Sequence, residues 1–217
     1  MKKVLINKYK MEESKVHHIP IGSPIIKNDK YGIERNRLFS FGYWGNRKNI
    51  DILLNVANQL KKLITFSLHF AGSDHVFFSG SIEAAMSQND TSKNSMVKHL
   101  GYLTKDHLYA EIGKATAIIL PYKSTTGASY ALNIAKAFGK PIIAPYDVGF
   151  ERIISEEGGT INYYDQKDPE MLRNVLISIL SDSKKMQIQG EKNRNSIGEN
   201  TIGNAAIRYL EIMQSLV

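Results

Sequence analysis

Short apolar runs alternate with amphipathic stretches along most of this chain. Leu38-Phe39-Ser40-Phe41-Gly42-Tyr43 is the first run that reads as a strand, and Gly45 and Asn46 turn the chain after it. Asn49 to Leu63 carries apolar residues at Ile50, Leu53, Leu54, Ala57 and Leu60, a helical period. Phe66 to Ala71 predicts a strand ending at Gly72, and Met96 to Leu100 predicts one closed by Gly101. Helical patches fall near 80–88, and the polar run from Gln88 to Ser95 loops out. Thr104 to Lys114 predicts a helix capped by Thr104. Ile118 to Leu120 then enters a small-residue loop, Ser124 to Ser129. A helix over Tyr130 to Phe138, a stop at Gly139 and a second apolar run, Ile142 to Ala144, complete that unit.

Beyond it the pattern predicts a short helix around Phe150 to Ser155 and a strand over Thr160 to Tyr163. Pro169 to Leu180 reads as a helix with proline at its start, and 184–195 and 202–216 are helical. The last stripe (Ile202, Ala205, Ala206, Tyr209, Ile212, Met213, Leu216) reads as core packing. Upstream, Lys15 to Ile21 alternates as a short strand, Gly22-Ser23-Pro24 breaks it, and 27–37 is polar linker. Strands alternating with helices across short loops predict an α/β protein. The expected fold is a Rossmann-like, doubly wound parallel sheet with helices on both faces and ligands at the strand C-terminal ends. The expected division is a leader and linker over 1–36 and one domain over 37–217.

Composition narrows the chemistry. The 217 residues are 42% hydrophobic and 23% charged, ordinary for a chain that buries a core, and no apolar run reaches membrane-spanning length. The start is too weakly apolar for a secretory signal, which predicts a cytoplasmic protein. Zero cysteines exclude disulfides, thiolate metal sites and a cysteine nucleophile, and the six histidines show no metal-ligand spacing. The net charge of +7 sits entirely in residues 1–48, where 11 Lys/Arg face 4 acids. A nucleic-acid binder would spread basic residues over one face with interleaved aromatics, so nucleic acid is not an expected partner. Attraction of this basic segment to an acidic membrane surface, or plain solvation of it, stays open.

The loop between Leu120 and Tyr130 is the strongest chemical signal. It opens directly into a helix N-terminus, where unpaired N–H groups and the positive dipole end suit a phosphate. Arg47 and Lys48 start another helix, where two cations conflict with the dipole, which favours a functional role over simple solvation. Thr125 to Ser129 reads equally as a tight loop with hydroxyl caps. Asp74 and His75 follow Gly72 at a strand end and read as turn residues; Trp44 either covers a cleft or seals the linker.

Several pieces, in order, resemble the C-terminal donor-binding domain of GT-B glycosyltransferases, specifically glycosyltransferase family 4. They are Ile19-Pro20-Ile21-Gly22-Ser23; Phe41-Gly42-Tyr43-Trp44-Gly45-Asn46-Arg47-Lys48-Asn49; Leu68-His69-Phe70-Ala71-Gly72; Val97 to Leu103; and Ala115 to Tyr122 with Ala135 to Ala144. The match covers about residues 15–217. It implies a retaining hexosyltransferase that uses a UDP-, GDP- or ADP-sugar without a metal cofactor, and no Asp-x-Asp pair occurs in the sequence. The acceptor would be a glycan, lipid or protein. It further implies that Arg47 and Lys48 stabilise the leaving diphosphate and that Thr126 acts at the donor sugar. Gly45, Tyr102, Leu103, Lys123, Thr125, Gly127, Ala128, Ser129 and Asn133 would bind the rest of the donor. The family also places an acceptor-binding domain first, so the resemblance implies a second half, supplied as a subunit or by a second copy. In the complete enzyme the last helix leans on that half.

The departures are specific. Two glutamates separated by seven intervening residues usually flank the signature loop; by register from Gly139 they fall at Thr126 and Ile134. Thr126 keeps a hydroxyl for a sugar, whereas Ile134 cannot bind a ribose and Asn133 is the expected substitute. Tyr43 stands where an arginine is common, with Arg47 as its replacement. The alternative reading is a nucleotide- or sugar-binding or assembly subunit without catalysis.

Overall fold

The computed structural model describes residues 2–26, 31–45, 47–77, 80–89, 96–123 and 129–215. Its strands are β1 Arg37–Phe41, β2 Ser67–Ala71, β3 Val97–His99, β4 Ala117–Ile119, β5 Ile142–Pro145 and β6 Asn162–Tyr164. Its helices are α1 Lys2–Tyr9, α2 Ile50–Leu60, α3 Ser81–Gln88, α4 Lys105–Lys114 and α5 Tyr130–Ala137, then α6 Val148–Glu157, α7 Pro169–Ser181, α8 Ser183–Asn195 and α9 Ile202–Gln214. The six strands form one parallel sheet in the order β3-β2-β1-β4-β5-β6. The chain is thus the expected Rossmann-like α/β sheet.

The central strands read as apolar runs because both faces are covered. Leu38, Ile119 and Ile143 face a core shared with α2 and α7, while Phe39, Ile118 and Ile142 face one shared with α4, α5 and α6. Alternation of side chains along each strand sends neighbours into opposite layers. Strand order reverses between β1 and β4, which pair through Leu38 with Ala117 and Phe39 with Ile118. A crevice opens there, beyond the strand C-terminal ends, between the segment that follows β1 and the start of α5.

Four expectations change. Lys15 to Ile21 is not a strand: a 3-10 turn covers Glu13–Lys15, and the segment reaches the domain through an isolated bridge from Ser23 to Thr201. The basic leader, for which no element was expected, carries α1. Thr104 holds the N-cap position of α4, but its side chain makes no capping hydrogen bond. The stripe on α9 is not core: no residue of this helix is buried, and Tyr209 and Met213 are 58% and 63% exposed. Among the described residues, no helix is long and apolar enough to cross a membrane.

Candidate functional site

β1 delivers the first lip. After Phe41 the backbone turns at Gly42, whose φ of +118° suits glycine, and Lys48 folds back over this turn. Lys48 is buried, and its ammonium donates to the Phe41 carbonyl. It lies 4.8 Å from the centre of the Trp44 ring and 5.3 Å from that of Tyr122. Burial pushes the Lys48 pKa down from 10.5 to about 7. The lip is tied to the end of β4 by backbone: Lys48 bridges Tyr122, Asn49 N donates to Pro121 O, and Lys123 N donates to Arg47 O.

α5 delivers the second lip. Ser129 caps it by accepting from Leu132 N, and the Ser129 hydroxyl also meets that of Tyr122. Between the lips is a cleft of about 770 Å³. Gly45, Arg47, Lys48 and Ser129 line it together with Tyr43, His75 and Tyr122. Beside it, over the ends of β1, β2 and β3, a slot of about 120 Å³ is lined by Tyr43, Tyr102, Leu103 and Leu108. Slot and cleft share Phe41, Gly42, Tyr43 and Leu108 as a common wall. The site therefore has a cationic part next to a helix N-terminus and an apolar, aromatic part next to it.

The structure brings Gly45, Arg47, Lys48 and Ser129 into one cleft and places Tyr102 and Leu103 in the adjoining slot. Lys123 joins through its backbone, which also accepts from Gln166 Nε2. Asn133 does not join. It is buried, and its amide donates to Ile21 O at 2.6 Å, while its neighbour Ile134 faces the cleft. Successive helical residues lie about 100° apart, so one position decides which side chain faces a ligand. The ribose role assigned to Asn133 is therefore withdrawn. Thr125, Thr126, Gly127 and Ala128 lie outside the described residues.

Trp44 belongs to the cleft wall but is fully buried behind Lys48, and its indole donates to Ala71 O at 3.0 Å. Asp74 has the expected turn role, accepting from Gly80 N, Ser81 Oγ and Ile82 N at the start of α3. Sequence reasoning missed Tyr43, His75 and Leu108 as site walls. Tyr43 and His75 each follow a strand-end glycine closely, which was a usable signal. Among the described residues, no group of three or more His, Asp or Glu could hold a metal ion.

A six-stranded parallel sheet with a lysine and a helix N-terminus facing across its switch point defines one half of a GT-B-type fold. Residues 35–182 match the family model described as glycosyl transferases group 1, and the chain belongs to that family. No curated protein matches the sequence. Among solved structures, sucrose-phosphate synthase from Thermosynechococcus elongatus is 18% identical with a TM-score of 0.76, covering 99% of this chain and 56% of that one. S. aureus TarM, in a complex that includes UDP, is 15% identical with a TM-score of 0.74, covering 97% and 41%. A GtfA/B complex is 14% identical with a TM-score of 0.69, covering 99% and 43%. At these identities the likeness is one of fold, and this chain spans about half the length of those it matches.

Proposed function

We propose that this chain is the donor-binding half of a retaining hexosyltransferase. The observation that carries this reading is the cleft in which Lys48 and Arg47 face the capped start of α5 across the switch point. In the transfer, the bond between the sugar's anomeric carbon and the diphosphate breaks while an acceptor hydroxyl oxygen bonds to that carbon, and the hydroxyl proton passes to the leaving diphosphate. Negative charge gathers on the leaving diphosphate. Lys48, Arg47 and the first N–H groups of α5 would stabilise it, side-chain cations serving instead of a metal. A glycan, lipid or protein hydroxyl is the acceptor.

The acceptor would be held by a second Rossmann-like half. Support comes from the apolar face that α9 leaves exposed and from a structural neighbour that is itself a complex. The cytoplasm supplies such donors, and the basic residues 1–48 suit contact with an acidic membrane surface. One observation favours the alternative of a non-catalytic binding subunit: Ile134, at the family's ribose glutamate, presents only hydrocarbon to the cleft.

Calorimetry with UDP, GDP, ADP and their hexoses tests the common ground of both readings. Saturable binding is expected, and its absence up to millimolar ligand overturns both. Hexose transfer that appears only when an acceptor-binding half is added favours the enzyme. Donor binding without turnover in that mixture favours the binding subunit.

A further inference from the structure

Resting on the donor-site reading, we propose that Asn133 is a positioning residue: it ties residues 21–23 to the helix that walls the cleft, so that the seating of this segment sets donor affinity. Asn133 and Ile134 are neighbours early in α5, yet they serve different surroundings. Ile134 lines the cleft, whereas Asn133 is buried and donates its amide to Ile21 O at 2.6 Å. A buried amide recovers its lost hydration only while its partner is in place. Here that partner is a backbone carbonyl far away in sequence, on a segment that belongs to no strand or helix.

The contact belongs to a closed ring of polar links. Ser23 is buried; its N–H donates to Asn200 O at 2.8 Å, and its carbonyl accepts from Ile202 N at 3.0 Å. The Asn200 amide donates to Glu157 at 3.4 Å, and Glu157 pairs at 3.7 Å with Lys136, a buried ammonium one turn beyond Asn133 on α5. Gly22 leaves no slack, since a Cβ there would overlap the Thr201 carbonyl oxygen. Both arms of the ring start on α5 and close on residues 21–23, one directly and one through the end of α6 and the entry to α9. Opening one link leaves a buried amide or ammonium without its partner, so the links open together rather than singly. The segment therefore has two states, seated and lifted. Only the seated state holds the turn of α5 that, with its cap Ser129, presents Ile134 to the cleft. A donor that orders the start of α5 favours the seated state, and by linkage the seated state favours the donor.

Hydrogen exchange in the 217-residue chain, with and without a saturating amount of whichever of UDP, GDP and ADP binds most tightly, reads this coupling. The Ser23 and Ile202 amides are the reporters, because their hydrogen bonds exist only in the seated state, and neither residue lines the cleft. Nucleotide is expected to slow their exchange at least about fivefold. Asn133→Leu is expected to weaken nucleotide binding at least about fivefold and to abolish the slowing at both reporters. Slowing at the Leu132 amide, which the α5 cap holds, should remain in that variant. Gly22→Ala, on the far side of the ring, should weaken binding likewise, and the double variant should bind no more weakly than either alone. Reporter exchange that is unchanged by bound nucleotide, or additive losses of affinity, overturns the coupling and leaves the donor-site reading standing. Binding of none of the three nucleotides overturns both. Should the variants fold poorly, the reporters in the unmodified chain decide alone.

Discussion

Lys48 shows how much a single side chain's surroundings determine its chemistry. Its ammonium is enclosed by two rings and a carbonyl, and burial brings its pKa to about 7. The neutral amine is therefore common in the free site at slightly basic pH, whereas a bound diphosphate favours the ammonium. UDP affinity should fall as pH rises from 7 to 9, with proton uptake on binding. Lys48→Met should bind more weakly at pH 7 and lose that dependence, which calorimetry in buffers of different ionisation enthalpy would check. His69 makes a stability prediction of the same kind. Burial first, then the nearby Arg37 charge, depresses its pKa from 6.5 to about 4. The unfolded chain thus binds the proton more readily, and His69 contributes stability that is lost as pH falls from 6.5 toward 4. His69→Gln should flatten the melting temperature over that window. Neither effect is visible in the sequence, where Lys48 shows only as a cation against a helix dipole and His69 as one polar residue in an apolar strand. Trp44 and Asn133 were illegible for a related reason: the pattern gives a residue's element but not the partner its polar atom finds.

At the level of elements the sequence was far more legible. Each of the six strands was found within a few residues, most clearly the central β4 and β5, because a parallel strand covered on both faces reads as an apolar run. Lys15 to Ile21 imitated a strand by alternation alone, which cannot reveal that no sheet edge waits for it. The same blindness affected α9, whose stripe announces an apolar face without saying what covers it. Helix contacts that depend on close approach leave a clearer trace in glycine. Gly190 of α8 sits against the Gly139 carbonyl, and a Cβ there would overlap that oxygen. Gly190→Ala should push α8 from the end of α5 and cost roughly 1–3 kcal/mol by overpacking, measured by urea denaturation. Ser129→Ala removes the cap of α5 and should cost about 1 kcal/mol, with UDP affinity falling alongside because the same helix start lines the cleft.

Across the whole molecule, the arrangement of parts explains which substitutions should be silent. α9 lies outside both cores, so Leu210→Ser should change stability by no more than about 0.5 kcal/mol in a thermal melt. The same substitution at Leu176 of α7, inside the first core, should cost several times that, because it leaves a cavity lined by apolar atoms. The sheet order carries one more consequence, for the time it takes this protein to form. Among the described residues the six strands pair only in parallel, so no two of them meet as a hairpin, and each strand pairing closes a long loop. The widest of these loops joins Leu38 to Ala117, and the cleft lies at the end of that seam. Loop-closure entropy makes this the costliest pairing to initiate, and long-range pairings slow folding. A chain just released from denaturant would regain much of its helix before it could hold a nucleotide, so ligand capture would time the closing of the sheet.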